Sequence, residues 1–161
     1  MSTPEVVVKV QKTETMQEEM KELHNRIADR AYEIYLQRGS LIRCDLDNWL
    51  DAEHELVWRP AVEILEKDNQ FIVQVAIAGL EPSDFTVRIT EEHLLIKSER
   101  MHTHKDGRGI VHVCEFRSGP VFRIIDFPKR VDPATVEVDY RNGLLRLKAV
   151  LAEEKVARTA A

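Results

Sequence analysis

Cysteine is scarce in this chain: its 161 residues carry two, Cys44 and Cys114, far apart and in stretches of different character. That usage fits a reducing cytoplasm better than a disulfide scaffold, a single intramolecular bridge being the lesser reading. Long apolar runs are missing too. No stretch approaches the roughly 18 residues expected of a membrane span, and MSTPEVVVKVQKTE lacks the basic start and small-residue cleavage site of a secretory signal. Positive charge is not in excess: 23 Lys and Arg against 28 Asp and Glu leave a net −5, so no nucleic acid or other polyanion is expected as a partner. Internal repeats are absent, and only the last residues, EEKVARTAA, are of low complexity. What is present, 43% apolar and 32% charged residues, suits a soluble core with an appendage.

Two hydrophobic periods divide the chain. Met16, Met20, Leu23, Ile27, Ala31 and Ile34 step by three or four, one stripe of a helix that Gly39 stops. A second helix is expected in CDLDNWLDAEHEL, with Asp45 as cap and Leu46, Trp49, Leu50, Glu53 and Leu56 at helical spacing. The two make a helical hairpin joined by RGSLIRC and closed at Trp58-Arg59-Pro60, because the residue before proline is pushed out of the α region. Trp49, Trp58 and Tyr32 are expected to fill cores.

Beyond Pro60 the period becomes two. FIVQVAIAG sets Phe71, Val73, Val75 and Ile77 against Ile72, Gln74, Ala76 and Ala78, and its nearly apolar faces predict a central strand covered on both sides. DFTVRIT, HLLIKSE, IVHVCEF, VFRIIDF, VEVDY and LLRLKAVL follow, separated by EKDN, GLEPSD, HKDGRG, RSGP, PKRVDP and RNG. Asn142-Gly143 between two strand-like runs predicts a tight hairpin. Short strands without intervening helix patterns mean an antiparallel, immunoglobulin-like β-sandwich, so the fold class is mainly β with a preceding helical hairpin. The expected division is a flexible segment with a Val-rich strand at 1–15, the hairpin at 16–57, the sandwich at 58–151 and a short flexible tail at 152–161.

These residues carry a family resemblance. The P-x-V-x-I run at Pro60–Ile64, AGLEPSDFTV at Ala78–Val87, IKSER at Ile96–Arg100, EFRSGPVFRIIDFP ending in Pro128, and RVDPATVEVDYRNGLLRL with its G-x-L resemble, in order and spacing, the α-crystallin domain of small heat-shock proteins (Hsp20). The resemblance covers roughly residues 58–151. It implies an ATP-independent chaperone, not an enzyme and without cofactor, that holds partly unfolded client proteins soluble and passes them to ATP-driven chaperones. It also implies a groove, between the strand before the last hairpin and DFTVRIT, that accepts an I-x-I segment of another subunit. Here that groove would be lined by Val87, Ile89, Val136 and Val138, with Gly143 and Leu145 as the G-x-L pair.

The chain departs from the pattern in three places. AEEKVARTAA after Leu151 has no I-x-I, whereas VVVKV offers V-x-V at Val6, Val8 and Val10, the candidate substitute for the groove. Arg123 matches a family arginine, but Asp126 stands where a basic residue is usual. Residues 1–57 resemble a small bacterial helical module rather than a disordered, Phe-rich arm. The resemblance further implies a loop between Arg100 and Phe116 that exchanges a strand with a neighbouring subunit, with Ile110, Val111, Val113 and Phe116 on it, and Arg123 in the same contact. A homodimer or small homo-oligomer follows.

Rival chemistry is thin. His102, His104, His112 and Cys114 would share one face of a loop hairpin, a His₃Cys set suited to zinc, against the plainer reading of incidental loop histidines and no metal. Ser83, Asp84 and His93 lack the surroundings of a nucleophile, and Ser83 and Asp84 read as turn-formers after Pro82. A co-chaperone-like adaptor that docks through the helical hairpin without holding clients is the alternative from another class.

Overall fold

The computed structural model describes residues 9–12, 16–39, 45–100, 102, 104, 109–116 and 120–153. Its core is a sandwich of two four-stranded sheets, ordered β1-β4-β5-β6 and β2-β3-β8-β7. The strands are β1 (Lys9–Lys12), β2 (Val62–Lys67), β3 (Gln70–Ala76), β4 (Thr86–Ile89), β5 (His93–Ser98), β6 (Val121–Asp126), β7 (Glu137–Arg141) and β8 (Leu144–Val150). All neighbouring pairs are antiparallel except β1 with β4, which run parallel. The sandwich follows the sequence reading; the parallel pair departs from it, and the long connection from β1 to β4, through both helices and the β2–β3 hairpin, is what a parallel pair needs.

Two turns show why the hairpins form where they do. Asp68 and Asn69 lie at φ 51° and 60°, and Asn142 and Gly143 at 54° and 79°. Both pairs meet the double positive-φ requirement of a two-residue turn whose twist matches the strands it joins. At Gly143 the demand is also steric: a Cβ there would stand 2.8 Å from the Ala78 Cβ and 2.9 Å from its Cα. The Ile77 amide donates to the Gly143 carbonyl at 2.8 Å, fastening the hairpin tip to the end of β3.

Inward residues of both sheets, among them Phe71, Val73, Val75, Val87, Ile89, Leu94, Ile96, Leu145 and Leu147, form one core. Phe71 stacks on Phe127 with centroids 5.9 Å apart. The outer faces differ. On β8, Leu145, Leu147 and Ala149 are buried while Leu144, Arg146 and Val150 are exposed, the alternation of a sheet with one wet side. In β5 the run Leu94-Leu95-Ile96 is buried without alternation. β3 likewise buries Phe71-Ile72-Val73, but the expectation of two covered faces for FIVQVAIAG fails at its end, where Ala76 and Ala78 are exposed; β5 is covered on both sides along its run.

The cover on β5 is the helical hairpin, α1 (Gln17–Gln37) and α2 (Asp45–Leu56). Met16, Ile27, Ile34, Ala52 and Val57 pack with Leu95 and Phe122 in a second core, with Leu23, Ala31, Trp49, Leu56 and Ile124 partly buried around it. Arg26 reaches Glu99 at 4.0 Å, and Glu19 pairs with Arg88, so charge brackets this apolar contact. The stripe of α1 lies as expected except for Met20, which is exposed. In α2 the buried positions are Asn48 and Ala52, whereas Leu46 and Leu50 are exposed. Close approach to α1 selects the small Ala52, and Asn48 accepts a hydrogen bond from the Arg38 guanidinium at 2.7 Å. Asp45 is the first helical residue rather than the cap. Trp49 lies 4.7 Å from the His24 ring and is half-buried, as is Trp58, but Tyr32 is exposed and stacks on Tyr35 instead of entering a core.

Candidate functional site

The residues singled out for the groove converge at one edge of the sandwich. Val87 and Ile89 of β4 and Leu145 of β8 point into the core and are fully buried, while Val136 and Val138 pack against it from beside and within β7. Along the free side of β4 runs β1, with Val10 opposite Val87 and Gln11 opposite Arg88. Val10 is partly buried against the same apolar core. Gln11 accepts a hydrogen bond from Arg88 Nε at 3.1 Å, and the same guanidinium pairs with Glu19 of α1. Arg88 thereby ties the N-terminal strand and the first helix to one sheet. Val6 and Val8 lie outside the described residues.

Tyr140 braces the far side of this edge. Its ring meets Phe85 edge-on at 5.3 Å, and its hydroxyl donates to the Leu80 carbonyl, with the Ile77 carbonyl at 3.5 Å. Burial, and then the nearby Asp84 and Glu81, raise its pKa above the ordinary phenol value, so the neutral donor is the favoured form.

The second cluster is the loop before β6. Ile110, Val111, Val113 and Phe116 are exposed, Ile110 by 84% and Val113 by 78%. Residues 110–116 form no regular strand within their own chain, and none of its sheets pairs with them. On the neighbouring β6, Arg123 has its Nε buried without a hydrogen-bond acceptor among the described residues. Asp126 meets His93 Nδ1 at 2.8 Å, a pairing within the subunit that the family pattern did not suggest.

The loop histidines gather only in part. Ligand atoms of His102, His104 and Cys114 lie within 4.8 Å of one another, all on exposed side chains; His112 is not in the group, because 110–116 does not pair as the expected hairpin. Cys114 is a free thiol, and Cys44 lies outside the described residues. The serine, aspartate and histidine weighed for hydrolysis are not brought together. His93 opens β5 beside Asp126, whereas Asp84 lies near the other end of that strand, where its carbonyl accepts from Ser98 and its carboxylate pairs with Arg100. Asp84 also accepts from the Glu81 amide at 2.8 Å, the expected turn role. A recess of about 950 Å³ is lined by Asn69, Glu91, Lys129, Arg130, Leu151, Ala152 and Glu153. Both of its cations are paired, Arg130 with Glu91 and Glu92 and Lys129 with Glu66.

Comparison with known proteins identifies the sandwich. Residues 63–160 match the Hsp20/alpha crystallin family, and residues 22–56 match a protein family of unknown function, DUF2934. The chain belongs to the Hsp20/alpha crystallin family. It is 25% identical over 95 residues to a probable 15 kDa heat shock protein of Leptospira interrogans, covering 59% of this chain and 72% of that one. Small heat shock protein C2 of Rickettsia felis is 22% identical over 99 residues, 62% of this chain and 64% of the relative. Among solved structures, a small heat-shock protein from Xylella fastidiosa superposes with a TM-score of 0.53 at 25% identity, over 65% of this chain and 95% of that one. The helical hairpin lies largely outside the sandwich match. No helix among the described residues is long and apolar enough to cross a membrane.

Proposed function

We propose that the protein is an ATP-independent holding chaperone, which binds partly unfolded proteins, keeps them from aggregating and releases them to ATP-driven chaperones. The observation that carries this reading is the edge of β4. Its cover, β1, runs parallel to it and packs Val10 against the core. A strand edge covered by a separate segment of chain beside an apolar core is a general acceptor for other extended apolar segments once that cover leaves. Membership of the Hsp20 family supports the same role. Catalysis and cofactors have no part in this reading, and its setting is the cytoplasm.

The functional unit in this reading is a homodimer or a small assembly of dimers. The row Ile110, Val111, Val113 and Phe116 supplies an apolar segment with no partner strand in its own subunit. The outer edge of β2, with Leu65 exposed on it, is the open sheet margin suited to receive that row from a second copy. Arg123 of β6 follows this row in the chain and is placed at the same contact by the family resemblance. In the groove, Val10 with Val6 and Val8 would take the place that an I-x-I segment takes in relatives.

A second reading is favoured by the hairpin surface. Leu46 and Leu50 of α2, with Tyr32 and Leu36 of α1, are exposed large apolar side chains on the element that lies outside the sandwich match. An adaptor that docks another chaperone through them, without holding clients, would have this appearance. Light scattering of a heat-destabilised client separates the two. Holding predicts suppression of aggregation at near-stoichiometric ratios without ATP; a client that aggregates as fast with the protein as without it refutes holding and leaves the adaptor.

A further inference from the structure

We propose that His102, His104 and Cys114 form a metal site that takes a borderline-soft divalent cation of the Zn²⁺ type, closing the loop between β5 and β6. Two imidazoles come from the outgoing arm and one thiol from the returning arm, and one ligand atom of each lies within 4.8 Å of the others. Tetrahedral zinc, with metal–ligand bonds of about 2.0–2.3 Å, needs its ligands roughly 1 Å nearer to one another than that limit. Exposed side chains outside the sheets reach this by rotation. The rings are already arranged for it. His102 lies stacked on Phe116, 4.9 Å between centroids at 23°, and His104 stands edge-on to it at 4.9 Å and 89°. Phe116 thus limits the rotation of one ligand, a role that hydrogen-bonding neighbours usually fill at metal sites.

The donor set selects the cation. A thiolate with two imidazoles favours zinc and its neighbours over magnesium or calcium, which take oxygen ligands. Binding requires Cys114 as thiolate, so its proton passes to solvent as the metal–sulfur bond forms. Three protein ligands leave the fourth position to water. Bridging residues 102 and 114 ties the two arms of the loop together and protects the thiol from alkylation. The site does not depend on the chaperone reading, since its ligands belong to one chain.

Cobalt titration of the full-length reduced protein tests it. The expected result is one equivalent of Co²⁺ bound with a thiolate-to-cobalt charge-transfer band and the visible bands of tetrahedral cobalt, displaced by Zn²⁺. Cys114→Ser should abolish the charge-transfer band and Cys44→Ser should leave it. His102→Ala and His104→Ala should each weaken binding by about tenfold or more, at least the effect of losing a supporting neighbour. A titration without the band overturns the proposal, as does a band that survives Cys114→Ser or ignores both histidine variants. All three side chains are exposed and outside the sheets, so unchanged far-ultraviolet circular dichroism verifies the fold of each variant.

Discussion

Replacing Gly143 by alanine tests the hairpin geometry at its tightest point. Its φ of 79° is left-handed, which costs an L side chain about 1–2 kcal/mol. The new Cβ would also stand 2.8 and 2.9 Å from the Cβ and Cα of Ala78, and Ala78 cannot yield without moving its backbone. Forced overpacking of this kind costs roughly 1–3 kcal/mol more. The sum, about 2–5 kcal/mol, is a large share of the roughly 5–15 kcal/mol that holds a domain folded. It also puts at risk the Ile77–Gly143 hydrogen bond. Urea unfolding followed by the fluorescence of Trp49 and Trp58, at fixed protein concentration, reads this loss directly. Gly39→Ala is the control: φ is 74° there, but nothing lies within 4 Å of the added methyl, so only the conformational cost applies. Equal losses for the two variants would refute the close approach to Ala78, and a Gly143→Ala loss under about 0.5 kcal/mol, the size of an ordinary surface substitution, would refute the geometry altogether.

Three further outcomes follow from the site. Val10→Asp, which sets a charge where an apolar side chain packs on the core, should destabilise by about 1–3 kcal/mol and free the β4 edge; deleting residues 1–12 should change the particle size seen by light scattering, and an unchanged size would remove β1 from assembly. Val111→Asp with Val113→Asp should dissociate the assembly while circular dichroism stays unaltered, as sedimentation can verify; an intact assembly would exclude strand exchange through this loop. Tyr140→Phe should cost about 0.5–1.5 kcal/mol at neutral pH, the worth of a buried hydrogen bond. Because the folded-state pKa of Tyr140 is raised, its stabilising effect is complete below the ordinary phenol pKa of about 10 and fades as pH climbs through the raised value. Wild type should therefore lose stability in alkali more steeply than Tyr140→Phe, and parallel pH profiles would contradict the burial of the hydroxyl.

Local chemistry made most of the sandwich legible. Alternation in LLRLKAVL and the Asn142-Gly143 turn follow from residue types alone, because strand period and positive φ are local demands. What escaped depended on contacts distant in sequence. The unalternating Leu94-Leu95-Ile96 run marks a strand with helices on its outer side, a signal that could have assigned the hairpin to β5, but FIVQVAIAG looked equally apolar. Helical spacing in α2 favoured Leu46 and Leu50, whereas interhelix distance chose Ala52 and the Arg38 hydrogen bond chose Asn48. The parallel register of β1 on β4 joins segments separated by both helices and the β2–β3 hairpin, and no pattern within KVQK encodes it. At the loop, His112 shares the period of Cys114 but not its surroundings, since residues 110–116 do not pair into a hairpin. The burial of Val87, Ile89 and Leu145 was legible because strand alternation alone places them on an inward face.

Native mass spectrometry combined with hydrogen exchange on the intact chain tests the central claim most directly: that this sandwich is completed by a second copy of itself. Particles with an even number of chains are expected, in which the amides of residues 110–116 exchange slowly because a partner's sheet receives them. A single-chain species at micromolar concentration, with those amides exchanging as freely as an unstructured peptide, would contradict it.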